Sequence, residues 1–558
     1  MDFNKRSVLH IFKFIIVWEF IVKKRILSIF LVLVSSLAFA AKPKEGEKLA
    51  KIQSFVYNAA AAPQSLDPAK IEGQPEGLFA HSLFETLVIS DESDKIIPGV
   101  ALSWESSSDY KTWTFHLRKD AKWSNGDPVT AHDFVYSWRR LVDPKTASPY
   151  SSHLVYMKLK NAQAIINGKL PKEKLGISAK DDYTLVLDLE DSVPFAPALT
   201  ELFILSPVPK KVIEKFGDAR SDPKNVVGNG PFILKSFTIN KDAHFVKNPH
   251  YWDAKNVILD KLTLLQIPSE TVAFTRYRSS DLDVGTFPLE VLDKVKREYP
   301  KELAVESALC TAFFELNHRR PPFNDPKVRK ALSLALDRSV ITDKILRAGQ
   351  TPAFVFSPPS ITASEAIKQP EWASWDDKRR YEEAKKLLLE AGYSKSKPLS
   401  FNMLYTTNES QKKLAIATAS MWKKNLDGLV NVKLENQEWK VYLASRHLGS
   451  HDTVLAYWCS DYSEASSFLS VFLSDSIKNR GAFKSKDFDE ALNKAYRVAT
   501  EEQRAEQYAK AEQILYEQTA LIPLYVFTTT ELVKPYVRGY KPKPSRMYYF
   551  KDIYILEH

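Results

Sequence analysis

The chain alternates short runs of period-two hydrophobicity with stretches of helical periodicity. Residues 112–117 alternate polar and apolar side chains, which predicts a β-strand. A turn-rich segment, residues 124–128, follows it. Thr130, with Asp133 three residues later, forms a capping-box pattern that predicts the start of a helix. The apolar face of that helix would consist of Phe134, Val135, Trp138 and Leu141.

The second half of the chain shows similar helix signals. Pro326 follows a proline-rich turn and suits the first turn of a helix. The apolar face of that helix would consist of Val328, Ala331, Leu332, Ala335 and Leu336. Another helix is predicted from Glu382 to Ala391, ended by Gly392, and a later one after Thr500, with Gln503 completing a capping box. Strands and helices in alternation predict an α/β or α+β protein.

Length and composition bound the number of domains. A chain of 558 residues is too long for one hydrophobic core, so two or three domains are expected. Hydrophobic residues at 44% and charged residues at 26% are typical of a globular protein. Aromatic residues reach 12%, which favours a ligand cleft, although most of these rings would pack in cores. Only 17 glycines predict few flexible linkers and tightly joined domains.

The first 40 residues have the pattern of a cleavable export signal. Residues 23–25 (KKR) are basic, residues 26–34 are apolar, and Ala38-Phe39-Ala40 suits cleavage near Ala40. A membrane anchor is the alternative, but the apolar run is short and a lysine-rich segment follows it. No cysteine lies near the cleavage site, so a lipid anchor has no attachment point. We therefore expect a periplasmic protein that is not a lipoprotein.

An earlier apolar stretch, Val8–Val22, contains Lys13 and Glu19 and so fits a bilayer span poorly. It is either an extension of the signal or the product of an upstream start site. Removal of residues 1–40 takes away 6 of the 78 Lys/Arg and 2 of the 68 Asp/Glu, which leaves a net charge of +6. Because this charge is mild and forms no basic block, no nucleic-acid partner is expected.

Cys310 and Cys459 are the only cysteines of the chain. In an exported protein such a pair predicts one disulfide, with two buried thiols as the alternative. The bridge would close a loop of about 150 residues, for which the chain-entropy account gives about 5 kcal/mol of stabilisation. Cys459 lies in Trp458-Cys459-Ser460-Asp461, which joins half of the bridge to an aromatic face and a carboxylate. This combination indicates a rigid pocket for a small cationic group such as a peptide α-amine, although a capping or loop aspartate is the alternative.

Catalytic motifs are not found in the sequence. It has no G-x-S-x-G, H-E-x-x-H or P-loop pattern and no zinc-like spacing of Cys and His. His244 and His250 lie near each other, but no third metal ligand accompanies them. Carboxylates are plentiful, and nothing selects a catalytic pair. We therefore predict a protein that is not an enzyme, with no metal and no cofactor.

Several ordered motifs resemble one family. The stretch 113–138 (WTFHLRKDAKWSNGDPVTAHDFVYSW) is similar to the signature of extracellular solute-binding proteins that serve peptide ABC importers. Further matches run from about residue 51 to the C-terminus: SLDP at 65–68, GNGP at 228–231, NPHYW at 248–252, PFND at 322–325 and LVKP at 532–535. Within that family the chain looks most like the oligopeptide and murein-peptide receptors.

The resemblance implies two lobes with a hinge, built from three domains, with the ligand enclosed between the lobes. The first domain would be discontinuous. By analogy with the family, the expected boundaries are 41–84, 209–309 and 529–558 for domain I, 85–208 for domain II and 310–528 for domain III. The implied function is capture of oligopeptides and delivery to the permease and ATPase subunits of an ABC importer, by a protein expected to be a monomer.

The resemblance also assigns roles to individual residues. Asp461 matches the aspartate that binds the peptide α-amine, and its segment, with Trp458 and Cys459, would supply one edge of the cleft. Tyr150, Trp439 and Trp458 match cleft aromatics, with core packing as the alternative. Glu72 matches a cleft acid that can favour cationic side chains of the ligand, with a solvated surface position as the alternative.

The chain differs from the family at the residues that would bind the ligand carboxylate. Arg446 matches a cleft arginine suited to bidentate capture of a carboxylate. A second family arginine falls at Leu455, a family histidine at Gln411, and a family lysine near Leu346, with Arg347 beside it. Binding of murein peptides, with Arg446 reading the side-chain carboxylate of diaminopimelate, would fit these losses. An exported hydrolase of peptides or cell wall is the alternative from a different class.

Overall fold

The computed structural model describes residues 43–217, 222–498 and 500–558. The predicted export signal, its cleavage near Ala40 and the stretch Val8–Val22 lie outside the described residues. Within the described parts of the chain, no helix is long and apolar enough to cross a membrane.

Nineteen strands are found in the described residues. They are β1 (Ser54–Asn58), β2 (Val88–Ser90), β3 (Ile96–Pro98), β4 (Ala101–Ser106), β5 (Thr112–Leu117), β6 (Ile177–Asp181), β7 (Thr184–Asp188), β8 (Phe232–Thr238), β9 (Asp242–Lys247), β10 (Lys261–Leu265), β11 (Val284–Gly285), β12 (Leu303–Leu316), β13 (Thr351–Pro352), β14 (Leu399–Thr406), β15 (Val430–Gln437), β16 (Thr453–Cys459), β17 (Leu521–Val533), β18 (Val537–Arg538) and β19 (Tyr554–Ile555).

The α-helices of the same residues vary from three residues to seventeen. They are α1 (Gln74–Leu83), α2 (Ala131–Val142), α3 (His153–Tyr156), α4 (Ala162–Ile166), α5 (Ala196–Leu199), α6 (Lys210–Phe216), α7 (Glu270–Arg278), α8 (Leu292–Glu298), α9 (Pro326–Leu334), α10 (Arg338–Val340), α11 (Asp377–Glu390), α12 (Glu409–Asn425), α13 (Trp439–Leu448), α14 (Ser466–Leu469), α15 (Lys486–Arg497) and α16 (Glu501–Glu517).

One large sheet runs through the molecule. Its strand order is β15-β14-β16-β12-β17-β11-β1-β10-β9-β8, with β13 paired to β17. A separate four-stranded sheet has the order β4-β5-β7-β6. The two long strands β12 and β17 lie at the middle of the large sheet and pair with each other in antiparallel fashion.

The hydrophobic cores divide the protein into two lobes. One large core consists mainly of residues 55–284 and 537–555, and two others consist mainly of residues 309–525. We call the part before residue 310 and after residue 527 the first lobe, and the part between them the second lobe. Strands β12 and β17 pass from one lobe to the other, and their pairing shifts register between Ser307 and Thr311. Because register shifts disrupt the regular ladder, this is the expected place for a hinge.

Strands from distant parts of the sequence pair with one another in the first lobe. Strand β1 pairs with β10 and β11, and β11 pairs with the end of β17. Near the two ends of the described chain, Leu49 bridges to Leu556. The side-chain amide of Gln53 donates to the carbonyl of Ile555 over 2.9 Å. The discontinuous first domain and the individual domain boundaries stay predictions.

Several local predictions are confirmed. The strand at 112–117 forms as expected, and helix α2 begins with the reciprocal capping box of Thr130 and Asp133. The predicted start at Glu382 is wrong, because the helix begins at Asp377. The side chain of Asp376 accepts the backbone N–H of Arg379 and so caps the helix one and a half turns earlier.

The two cysteines form the predicted disulfide. Cys310 on β12 and Cys459 on β16 are directly opposite each other in the antiparallel ladder and are bonded. The bridge therefore fixes the end of β16 to the strand that continues into the hinge.

Candidate functional site

Asp461 lies just after β16, at the boundary between the lobes, and is partly buried. Its backbone N–H donates to Ser467 Oγ over 2.7 Å. The indole N–H of Trp458 donates to the carbonyl of the same serine over 2.9 Å. Together with the disulfide at Cys459, these bonds hold the segment that carries the carboxylate. Trp458 and Cys459 thus position Asp461, while the roles of these residues toward a ligand stay predictions.

The opposite lobe supplies a tyrosine to this carboxylate. The hydroxyl of Tyr150 donates to Asp461 Oδ1 over 3.3 Å, and Tyr150 itself is 7% exposed. Burial raises the pKa of Asp461 to about 7, with a further rise from Glu72, against the lowering effects of Lys478 and Tyr150. An additional cation at Asp461 would therefore relieve an unfavourable buried charge.

Lys478 lies on the face of the same tyrosine ring. Its ammonium is 3.1 Å from the centroid of Tyr150 and 2.9 Å from Glu72 Oε2. Burial lowers the pKa of Lys478 to about 8, against the raising effect of Glu72. One aromatic ring thus separates the carboxylate of Asp461 from a buried ammonium.

Glu72 is the centre of an ionic cluster that joins the two lobes. It precedes α1 in the first lobe and is 4% exposed. Two cations of the second lobe, Lys478 over 2.9 Å and Arg480 over 2.5 Å, and the imidazole of His447 over 2.6 Å contact its carboxylate. Burial alone would raise the pKa of Glu72, but Lys478 and Arg480 hold it well below its ordinary value. The surface alternative for Glu72 is wrong, because it is buried.

Trp439 of the second lobe packs against the start of helix α1 in the first lobe. Its indole N–H donates to Glu76 over 3.3 Å, and its ring stacks on Tyr442 with the centroids 5.8 Å apart. A Cβ built on Gly73 would lie 2.8 Å from the Trp439 ring, so only glycine fits between the lobes here. Burial raises the pKa of Glu76 to about 8, which leaves this carboxyl protonated at neutral pH.

Arg446, near the end of α13, has a carboxylate partner within its own lobe. Its Nη2 lies 2.6 Å from Glu315 Oε2, and both side chains are less than 10% exposed. His451 Nε2 lies 3.1 Å from the other oxygen of Glu315. Arg446 and His451 hold the pKa of Glu315 well below its ordinary value, despite its burial. The role of Arg446 toward a ligand carboxylate stays a prediction.

The positions of the absent family anchors are occupied by structural contacts. Leu455 is completely buried in the second lobe. Gln411 accepts the backbone N–H of Thr406 over 3.3 Å. Leu346 is buried, and Arg347 is paired with Asp293 over 2.8 Å.

A cavity of about 250 Å³ lies between the lobes next to this segment. Phe195 and Glu201 line it from the first lobe, and Tyr462 and Glu464 from the second. The described residues contain no group of three or more His, Cys, Asp or Glu that could hold a metal ion.

A family model for bacterial extracellular solute-binding proteins, family 5 (middle), matches residues 95–480. The chain belongs to this family. The periplasmic oligopeptide-binding protein OppA of Haemophilus influenzae is 48% identical to it over 517 residues, which cover 92% of this chain and 96% of that protein. The periplasmic murein peptide-binding protein MppA of Escherichia coli is 40% identical over 525 residues, covering 94% and 97%.

Solved structures of these two relatives share the two-lobe α/β fold of this family member. H. influenzae OppA in complex with the peptide RPPGFSPFR gives a TM-score of 0.90 at 48% identity, covering 91% of this chain and 100% of that one. A structure of E. coli MppA gives 0.89 at 40% identity, with the same coverage, whereas the unliganded open form of MppA gives 0.66, covering 92% and 99%. Both of these structures are of MppA, so the lower score reflects a different arrangement of the lobes rather than a different fold. The lobes of this chain are therefore not arranged as in the open form of MppA.

The structure brings most of the predicted site residues to one boundary. Asp461, Glu72, Tyr150 and Trp439 all contact the opposite lobe, directly or through one neighbour. Sequence reasoning missed Lys478, Arg480, His447 and Glu76, and no short motif marks them. The family and the fold that the sequence signature predicted are confirmed. The individual ligand contacts stay predictions.

Proposed function

We propose that this chain is an exported receptor that captures oligopeptides between its two lobes and delivers them intact to an ABC importer. The observation that carries the proposal is Asp461, a partly buried carboxylate held by a disulfide-linked strand at the lobe boundary. A peptide ammonium pairs with such a carboxylate better than with water, because the carboxylate is already fixed and partly desolvated. The similarity to a relative solved with a bound peptide supports the same conclusion.

The remaining parts of the proposal follow from the family. The receptor acts in the periplasm after cleavage near Ala40, works as a monomer, and binds without chemical change to its ligand. Its partners are the permease and ATPase subunits of the importer. Lobe closure around the peptide is the binding step, since contacts from both lobes favour the closed form.

The direct test is titration calorimetry of the mature protein with tri- to pentapeptides, followed by mass analysis of the recovered peptide. We expect saturable binding and recovery of the unaltered peptide. Shortened products would contradict the receptor and favour a hydrolase.

A narrower ligand set is the second candidate, namely murein peptides that carry diaminopimelate. Leu455, a buried aliphatic residue where the family arginine is expected, favours it, as does the 40% identity to a murein peptide-binding protein. For this ligand set, the guanidinium of Arg446 would bind the side-chain carboxylate of diaminopimelate while it also binds Glu315.

The assignment is tested with Arg446→Ala, with Arg379→Ala as the control, because Arg379 is an exposed arginine of the same lobe that pairs with Glu371. Loss of murein-tripeptide affinity only in Arg446→Ala is expected. Unchanged affinity in a correctly folded Arg446→Ala protein would remove Arg446 from the site.

A further inference from the structure

Three basic side chains of the second lobe, two of them a lysine and an arginine, converge on a single carboxylate of the first lobe. Lys478, Arg480 and His447 lie within 3 Å of the oxygens of Glu72. Lys478 is 3% exposed and Arg480 is 6% exposed, so water contributes little to their solvation. Buried ions of this kind require partners of opposite charge.

The nearby acidic groups do not balance these cations once a ligand amine is bound. Asp461 is then paired with the ligand ammonium. Glu76 accepts the indole N–H of Trp439 and the backbone N–H of Gln64 rather than pairing with either cation, and burial raises its pKa to about 8. Glu72 alone therefore faces the charges of Lys478 and Arg480, and one positive charge stays without a partner.

The remaining acid of this region is also unavailable. Glu315 is buried and bonded to Arg446, and the two neutralise each other. This pair therefore supplies no counter-ion to Lys478.

Arg480 has hydrogen-bonding capacity to spare. Its Nη2 binds Glu72, but its Nε is buried and has no hydrogen-bond partner among the described residues. A guanidinium has five N–H donors and matches a carboxylate with two parallel bonds. The unused donor next to a bound carboxylate indicates that a second anionic group fits this cluster.

Lobe opening would make the cluster accessible. Glu72 belongs to the first lobe, whereas Lys478 and Arg480 belong to the second. Separation of the lobes would therefore take the carboxylate of Glu72 away from both cations. An incoming ligand then meets two cations without counter-ions beside the amine site.

We propose that Lys478 and Arg480 form an anion subsite that binds a carboxylate of the ligand, so that the cleft prefers peptides with a carboxylate close to their amino terminus. The inference rests on the proposed peptide-binding function. The distance is short because Tyr150 donates to Asp461 through its hydroxyl and contacts Lys478 through its ring. The carboxylate is supplied either by an acidic side chain or by the C-terminus of a very short peptide.

This preference is opposite to the one expected from the family resemblance, in which Glu72 favours cationic side chains. Here Glu72 is already neutralised by its cationic neighbours. Its carboxylate therefore competes with the ligand carboxylate for Lys478 and Arg480.

Calorimetric titration at pH 7.5 with Ala-Glu-Ala, Ala-Ala-Ala and Ala-Lys-Ala tests the subsite. We expect Ala-Glu-Ala to bind about tenfold more tightly than Ala-Lys-Ala, the size of one charge-assisted hydrogen bond. Lys478→Gln and Arg480→Gln should each remove most of this preference, measured as the ratio of the affinities for Ala-Glu-Ala and Ala-Lys-Ala. Lys484→Gln is the matched control, because Lys484 is an exposed lysine of the same segment.

C-terminal amides separate the two carboxylate sources. A preference kept by Ala-Glu-Ala amide assigns the acidic side chain, whereas a preference lost on amidation of Ala-Ala assigns the C-terminus. Either result supports the subsite provided that it depends on Lys478 and Arg480.

The variant Glu72→Gln is expected to change peptide affinity in opposite directions under the two interpretations of Glu72. If Glu72 competes with the ligand, this variant binds Ala-Glu-Ala several-fold more tightly than the wild type does. If Glu72 recruits cationic side chains, the variant instead loses affinity for Ala-Lys-Ala, and the subsite is refuted. Binding of all three peptides with equal affinity also overturns the subsite alone, whereas binding of none of them overturns the proposed function as well.

Discussion

Replacement of Asp461 by asparagine changes the charge at the proposed amine site with little change in shape. Burial raises the pKa of Asp461 from 3.8 to about 7. This rise corresponds to a cost of about 4 kcal/mol for the ionised carboxylate relative to water. A ligand ammonium recovers part of that cost by supplying the missing counter-charge.

We expect Asp461→Asn to weaken binding of an unmodified tripeptide by about 2–4 kcal/mol, which is roughly 30- to 1000-fold in Kd. The lower figure applies if water at the lobe boundary screens the pair. The upper figure applies if closure excludes that water completely.

N-terminal acetylation of the peptide completes a thermodynamic cycle. Titration calorimetry would compare free and acetylated Ala-Ala-Ala on the wild type and on Asp461→Asn. Acetylation should cost the wild type most of the predicted energy and the variant much less, since the variant has no charge to lose. Equal losses in both proteins would refute the pairing of Asp461 with the amine.

Three further changes have defined outcomes. Below pH 7 the peptide affinity should fall about tenfold per pH unit, because Asp461 then carries a proton that must leave when the peptide amine binds. Above pH 8 the affinity should fall because the peptide amine loses its charge. An affinity that stays constant from pH 5 to 7 in calorimetric titrations would contradict this. Joint replacement of Cys310 and Cys459 by serine should lower the free energy of unfolding by about 5 kcal/mol in denaturant titrations, whereas an unchanged midpoint would show that the long loop contributes nothing. Gly73→Ala should hinder closure, because its Cβ meets a tryptophan ring of the opposite lobe, so X-ray scattering with saturating peptide should show a more open form than for Gly168→Ala, whose Cβ meets no atom within 4 Å.

Local sequence patterns predicted the features that depend on neighbours in the chain. The capping box of Thr130 and Asp133 requires only residues three apart, and it forms as expected. The disulfide was predictable for a different reason, because an exported chain with only two cysteines leaves one possible pairing. The fold followed from the order of the family motifs.

The ionic cluster could not be predicted in this way. Glu72 is 406 residues from Lys478 and 408 from Arg480. The segment that contains both cations has no motif, and two nearby cations usually lie in solvent. Only the closure of one lobe on the other brings them to the same carboxylate.

Arg446 illustrates a second limit. The sequence marks it as an arginine at a cleft position but does not show that it has a partner. The structure places Glu315, 131 residues away, against its guanidinium. A buried pair of this kind reduces the charge that Arg446 presents to a ligand, which a family match by itself does not indicate.

Native mass spectrometry of the mature protein, mixed with a set of di- to pentapeptides, tests the central claim most directly. We expect one peptide per protein molecule, released on activation with its mass unchanged, and loss of these complexes in Asp461→Asn. A protein that retains no peptide under these conditions, or that releases shortened peptides, would contradict it.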